Sequence, residues 1–295
     1  MKKLAAFLTA AVAVCSALPF TASAEADEKT YIPTLYFTGE KSDSVDPLPS
    51  GILYVNTKSG KELKTSAKVF IKDDALRVGQ IYAKWLWPDK YVTLSNIKDP
   101  ITAGTLAPYK DYVTASDILL NDSPDQKLMG VSYANTEENA IPITGKTSDE
   151  YPMAVFDIAV DSAAEANYYD IAFKTEQPNV TNISYRLSDG SSIRDIRPSG
   201  DNAKPLTIAV SDRMLGDVND DKTIDAKDAS AILRNYALSS ARQTPDFDQA
   251  QLIASDVTGD KQSDARDASK VLSYYAYTST QAGAGTSLID FLFME

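Results

Sequence analysis

Between residues 31 and 210, apolar positions come in short runs broken by turn residues. Tyr31–Phe37, Ile52–Val55, Ala67–Ile71, Gln80–Trp87, Val131–Tyr133, Met153–Val160, Tyr168–Phe173, Ile183–Leu187 and Leu206–Val210 each read as a strand. Lys58-Ser59-Gly60, Pro88-Asp89, Asp99-Pro100, Ser188-Asp189-Gly190 and Pro198-Ser199-Gly200 separate them. Many short strands at such spacing predict a β-sandwich. Ser116 to Leu120 reads as a helical turn. Beyond residue 210 the period changes. Ala229, Ile232, Leu233 and Tyr236 lie at i, i+3, i+4 and i+7, and Ala268, Val271, Leu272 and Tyr275 repeat that spacing. Each set predicts a helix with one apolar stripe. Phe247, Leu252 and Ile253 predict a short helix between them. A Gly/Ala/Thr stretch then leads to the apolar run Leu288–Met294, which is expected to fold back onto the helices, because it would be a liability in water.

The two helices belong to a longer repeat. Residues 217–237 aligned with 256–276, an offset of 39, give 12 identities in 21 pairs. Each copy opens with a loop carrying acidic, amide or hydroxyl side chains at positions 1, 3, 5, 9 and 12. Alternate residues of a tight loop converge on one point, and position 7 adds its backbone carbonyl, so such a loop supplies the oxygen cage that calcium takes. The expected ligands are Asp217, Asn219, Asp221, the Thr223 carbonyl, Asp225 and Asp228 in the first loop. In the second they are Asp256, Thr258, Asp260, the Gln262 carbonyl, Asp264 and Asp267. Two Ca2+ ions are thus predicted. Position 6 is Lys222 or Lys261, where glycine would ease a left-handed turn. Position 8 is Ile224 in one copy and Ser263 in the other, and Thr258 is a weaker donor than Asn219, so the first site is expected to bind more tightly.

A duplicated loop-helix unit closed by Asp resembles the dockerin module of cellulosome-type assemblies, over about residues 212–277. That resemblance implies a calcium-dependent partner, a cohesin on a scaffold protein. It places the partner contacts on loop positions 10 and 11 and on the helices: Ala226, Lys227, Leu233, Arg234 and Leu238, then Ala265, Arg266, Leu272, Ser273 and Tyr277. The near-equivalence of the two sets implies docking in either of two orientations. The alternative is that Lys227 and Arg266 are solvated charges and the leucines are core.

Lys2 and Lys3, the apolar run Leu4–Val14 and Ala22-Ser23-Ala24 have the three-part form of a signal peptide over residues 1–24. Its removal takes the only cysteine, Cys15, and leaves 27 of the 29 basic residues against all 41 acids, a net charge of −14. The chain has no histidine. That excludes Ser-His-Asp and Cys-His chemistry and imidazole zinc sites. The acidic balance argues against nucleic acid and anionic membranes. What remains in quantity is carboxylate, which suits calcium or glycosidase chemistry.

Ala154–Val160, the turn Asp161–Ala166 and Tyr168–Phe173 are similar to the late strands of a cohesin sandwich, with Val69-Phe70-Ile71 and Ile81-Tyr82-Ala83 as an early pair. Trp85 and Trp87 lie two apart on one strand face, either as a sugar-binding platform extended by Tyr82, Tyr91 and Tyr133 or as sandwich core; the reading favours core. Glu137, Glu138 and Glu150 are available carboxylates, but no motif singles out a catalytic pair. The expectation is a mainly β chain with a small helical calcium-binding end: signal 1–24, sandwich 25–211, dockerin-like repeat 212–278 and tail 279–295. Function is expected to be that of a secreted, extracellular or cell-surface, non-catalytic adaptor, whose sandwich captures enzyme dockerins. A dockerin-borne carbohydrate-binding module and a small glycoside hydrolase stand as alternatives.

Overall fold

Alternation of buried and exposed side chains sets the two sheets of the N-terminal part. The computed structural model describes residues 34–72, 77–88, 90–99, 113–123, 126–135, 152–176, 181–186 and 192–294. The expected signal segment, Cys15, Glu137, Glu138 and Glu150 lie outside them. One sheet has four strands in the order β1 (Thr34–Gly39), β4 (Lys64–Lys72), β9 (Ala154–Val160), β6 (Val92–Lys98). The other runs β12 (Ser192–Ile196), β11 (Asn182–Arg186), β5 (Arg77–Pro88), β10 (Asn167–Phe173), β13 (Leu206–Ser211), β3 (Leu53–Asn56), β2 (Val45–Pro47). β8 (Gln126–Asn135) also pairs with β5 and carries β7 (Val113–Ser123). Pairing is antiparallel except for β13 with β3, which run parallel.

The helical turn expected at Ser116–Leu120 is instead part of β7, with Ser116 opposite Ser132 and Leu120 opposite Leu128. A long antiparallel ladder satisfies every second backbone pair there, which outweighs local turn preference. β2, β6 and β12 have no counterpart among the expected strands.

The space between the sheets is filled by aromatic and branched side chains. Phe37 stacks on Phe173 with centroids 4.3 Å apart, and Trp85 stacks on Phe156 at 5.4 Å. Trp85 and Trp87 are 0% and 2% exposed, so neither offers a ring face to a sugar; the platform expectation is corrected here. Their placement follows from register, because Ala83, Trp85 and Trp87 share the inward face of β5. The Trp87 indole donates to the Val92 carbonyl at 3.1 Å.

β13 is unusual in that all six of its residues are buried. Leu206, Ile208 and Val210 face the sandwich core, while Ala209 faces a second core that begins on the sheet's far side. Tyr54, which lies opposite Ala209 on β3, joins that second core with Leu48 and Ile52. Four helices complete it: α1 (Ala226–Ser240), α2 (Gln249–Ser255), α3 (Ala265–Thr278) and α4 (Leu288–Leu292). α2 lies across β13 and β10, and α1 packs against α3. The apolar end does fold back: Leu288, Ile289, Phe291 and Leu292 are buried, with Phe291 against Tyr274 and Tyr277.

Trp85→Ala should cost about 3–5 kcal/mol, the range for emptying a buried aromatic site. Urea denaturation of the full chain checks this; a shift under about 1 kcal/mol, together with lost retention on insoluble cellulose or xylan, would place Trp85 on the surface instead.

Candidate functional site

The repeat places two acidic loops at the start of α1 and α3. In each, the position-9 residue, Asp225 or Asp264, is the helix N-cap, and the position-12 carboxylate, Asp228 or Asp267, accepts the N-cap backbone N–H in return. This reciprocal capping box fixes the loop exit and is worth about 1 kcal/mol per cap. Position 1 organises the turn. Asp217 accepts the N–H groups of Asp221 at 3.2 Å and Lys222 at 2.9 Å; Asp256 accepts those of Asp260 at 3.0 Å and Lys261 at 2.9 Å. Position 12 closes the loop from below: Asp228 accepts from Val218 and Asp225, and Asp267 from Thr258 and Asp264.

Lys222 and Lys261 sit at φ of 69° and 65°. The left-handed turn expected at position 6 is therefore made without glycine, at a cost of about 1 kcal/mol each.

The electrostatics divide each loop in two. Positions 1 and 12 are buried, at 0% and 0% exposure in the first loop and 3% and 0% in the second. Among the described residues, none of these four carboxylates lies within ion-pair distance of a Lys or Arg. Burial pushes Asp228 and Asp256 above the usual carboxylate range and Asp267 up to about 6; the negative charge of Asp217 adds to the shift of Asp228, and that of Asp256 to the shift of Asp267. Positions 5 and 9 are more open and each loop bridges them with its basic position 11. Lys227 reaches Asp221 at 3.2 Å and Asp225 at 3.5 Å; Arg266 reaches Asp260 at 2.5 Å and Asp264 at 2.9 Å. Donors from Thr223, then Lys227, hold Asp221 down at about 2. Hydrogen bonds from Arg266 likewise lower Asp264.

Among the described residues, no three Asp, Glu, His or Cys side chains converge as a metal cluster. The loop carboxylates are turned onto backbone N–H groups of their own turns. The donor chemistry nevertheless fits a hard divalent cation: every side-chain donor is oxygen, and each loop buries two carboxylates that repel one another. Asn219 and Thr258 occupy position 3. The Thr258 hydroxyl donates to Asp267 at 2.9 Å, whereas the Asn219 amide oxygen accepts the Asp221 N–H at 2.9 Å.

The helix faces depart from the single apolar stripe. Ala229 and Ile232, and Ala268 and Val271, are buried as expected. Leu233 and Tyr236, at 47% and 41% exposure, point outward, as do Leu272 and Tyr275 at 49% and 41%. Buried Asn235 takes the place in α1 that the stripe assigned to Tyr236; its amide oxygen accepts the N–H groups of Asp246 and Phe247 and anchors the connection to α2. Of the expected partner residues, Lys227, Leu233, Arg234, Arg266, Leu272 and Ser273 are exposed, and Ala226, Ala265 and Leu238 are half-buried. Tyr277 is also half-buried, with its ring against Phe291, so it serves the tail as well as the surface. Tyr236 and Tyr275 are surface residues whose one signal in the sequence is an apolar stripe wider than two packed helices bury.

Residues 215–274 match the family model of the dockerin type I domain. No curated protein matches the chain. Among solved structures, a type III cohesin module of a Ruminococcus flavefaciens cell-surface anchoring scaffoldin is similar at 13% identity and a TM-score of 0.36, covering 62% of this chain and 89% of that one. The seventh ScaB type I cohesin of Pseudobacteroides cellulosolvens is similar at 9% identity and a TM-score of 0.35, over 60% and 92%. A cohesin–dockerin complex from Clostridium thermocellum gives 8% identity and 0.34, over 60% and 99%.

In chelator, the raised carboxylates fix the sign of the pH dependence. A folded pKa above the ordinary 3.8 means that the contribution of Asp267 is fully present below about pH 4 and is lost as pH rises through about 6. The lowered Asp221 and Asp264 contribute stability that is complete above 3.8 and is lost only as pH falls below it, so they add no slope between pH 4 and 6. Melting in EDTA should therefore fall from pH 4 to 6, and less so in Asp267→Asn. In saturating calcium the slope should reverse, since protons then compete with the cation; the same slope in both buffers would contradict the cation fit.

Dockerin type I domains are calcium-binding modules, and over residues 215–274 this chain carries one.

Proposed function

We propose that this chain is a secreted, non-catalytic docking adaptor that attaches through its dockerin to a cohesin on a scaffold protein and presents the sandwich to a second partner. The observation that carries the reading is the matched pair of outward faces. The repeat exposes Leu233, Tyr236 and Lys227 in one copy and their counterparts Leu272, Tyr275 and Arg266 in the other, with near-equal exposure of the leucines and tyrosines. Large apolar side chains at half exposure, duplicated and each on a helix that opens with one exposed base, suit an interface better than a solvated helix surface.

Calcium prepares that surface. In this reading two ions are held, one by Asp217, Asn219, Asp221, the Thr223 carbonyl, Asp225 and Asp228, the other by Asp256, Thr258, Asp260, the Gln262 carbonyl, Asp264 and Asp267. With their carboxylates engaged by the ions, Lys227 and Arg266 are released from the loops and face outward beside the leucines. Their positive charge then meets an acidic rim on the partner.

The sandwich supports the second half of the reading through its two-sheet architecture and the strand–turn–strand unit β9–β10. With Trp85 and Trp87 consumed by the core, capture of an enzyme dockerin is a better use of this domain than carbohydrate binding.

The paired faces make a specific prediction for binding to an immobilised cohesin in calcium. Leu233→Ala with Tyr236→Ala should weaken binding only a few-fold, because the second face substitutes. Adding Leu272→Ala and Tyr275→Ala should abolish it. The four-substitution chain, unable to dock itself, should still retain a foreign dockerin on a native gel. Undiminished cohesin binding by that chain would refute the docking faces; no retained dockerin would refute the sandwich's part alone.

A further inference from the structure

The two loops are copies in sequence but not in surroundings. The first faces solvent at positions 3 to 7, where Asn219, Asp221, Lys222 and Thr223 are exposed. The second lies against the sandwich at positions 1, 4 and 6, and of these only position 4 differs in residue from the first. At position 4 the first loop has Asp220 at φ 61° and the second has buried Gly259 at φ 68°. A Cβ on Gly259 would stand 2.1 Å from the Ser50 Oγ and 3.0 Å from its Cβ, in the turn between β2 and β3. At position 6, Lys222 pairs with Asp220 of its own loop, whereas Lys261 reaches Asp170 on β10 at 3.1 Å. The Thr207 hydroxyl of β13 holds that same Asp170 oxygen at 2.5 Å.

Position 1 differs most. Asp217 and Asp256 accept the same two backbone N–H groups, but Asp256 also accepts the Tyr168 hydroxyl of β10 at 2.8 Å. The Tyr168 ring lies under the Lys261 ammonium, 5.6 Å from centroid to nitrogen, and packs into the second core. A side chain of the sandwich thus fixes the rotamer of the first donor of the second loop.

We propose that the second loop is a calcium-dependent joint between dockerin and sandwich, with Tyr168 as the positioning residue for Asp256. This rests on the reading of that loop as a calcium site. A hydroxyl donated to a ligating carboxylate orients it and stabilises its charge, and loss of such an outer partner costs about 10–100-fold in metal affinity. By linkage, calcium in this loop tightens the contact with β10 by the same factor as the contact tightens calcium. Among the described residues no side chain of the sandwich donates to Asp217, so the first loop reports the intrinsic affinity of the repeat.

Calorimetric titration of the full chain with calcium tests the joint, with the first loop as internal control. Tyr168→Phe, which removes only the hydroxyl, should weaken one of two sites about tenfold and leave the other unchanged. Gly259→Asp, which installs the residue of the first loop, should weaken the same site by displacing the loop from Ser50. Hydrogen exchange gives a second readout: calcium should slow exchange in Asn167–Phe173 in the parent chain and not in either variant. Two sites unchanged in Tyr168→Phe, or weakened equally, would overturn the joint while leaving the metal reading intact. No calcium bound by the parent chain would overturn the metal reading and the joint with it.

Discussion

Each loop buries two carboxylates against one another. Asp217 with Asp228, and Asp256 with Asp267, sit out of solvent with backbone N–H donors and without a basic partner among the described residues. Hydrogen bonds from neutral amides cannot cancel the desolvation of two like charges. A hard cation can, and the geometry of the rest follows from that need. One carboxylate of each pair, Asp228 or Asp267, also closes the capping box that starts α1 or α3, so whatever the pair binds also determines how firmly the two helices, and the faces they present, are held. Duplication gives the module two such faces and two such dependencies.

β13 carries the second constraint. Buried on both sides, it is at once a central strand of the sandwich and the floor of the helical core. The Ser211 hydroxyl donates to the Ala250 carbonyl at 3.0 Å, and the Tyr54 hydroxyl to the Arg213 carbonyl at 2.9 Å. These are bonds between sandwich and repeat in regions that a tethered, freely moving module would leave to water. The described residues accordingly fall within one compact unit. A partner gripping the helices therefore meets a body that includes the sandwich, and the orientation of one is inherited by the other.

Much of this was legible in the chain. The 3.6-residue period gave both repeat helices, the short apolar segments gave most strands, and the spacing of Asp217 to Asp228 gave the loop before any fold was known. Trp85 and Trp87 were correctly assigned to one face, and packing between the sheets decided which way that face points. Ser116–Leu120 was misread because ladder partners at Leu128–Ser132 lie in another strand, which local propensity does not register. Tyr236 and Tyr275 were placed on the packed stripe because periodicity marks apolar positions without saying how wide a stripe the neighbours cover, whereas Leu233 and Leu272 lie exposed as the resemblance implied. Tyr168 was read only as a strand residue; its contact with Asp256 spans 88 positions and leaves no trace in local sequence. The asymmetry between Asp220 and Gly259 was visible in the alignment of the repeats, yet only the proximity of Ser50 gives it meaning.

Native mass spectrometry of the full chain in calcium tests the central claim most directly. The account predicts a dominant species carrying two calcium ions, and one ion in the chain with Asp217→Ala and Asp228→Ala. A spectrum without bound calcium, or one whose ion count those substitutions leave unchanged, would contradict it.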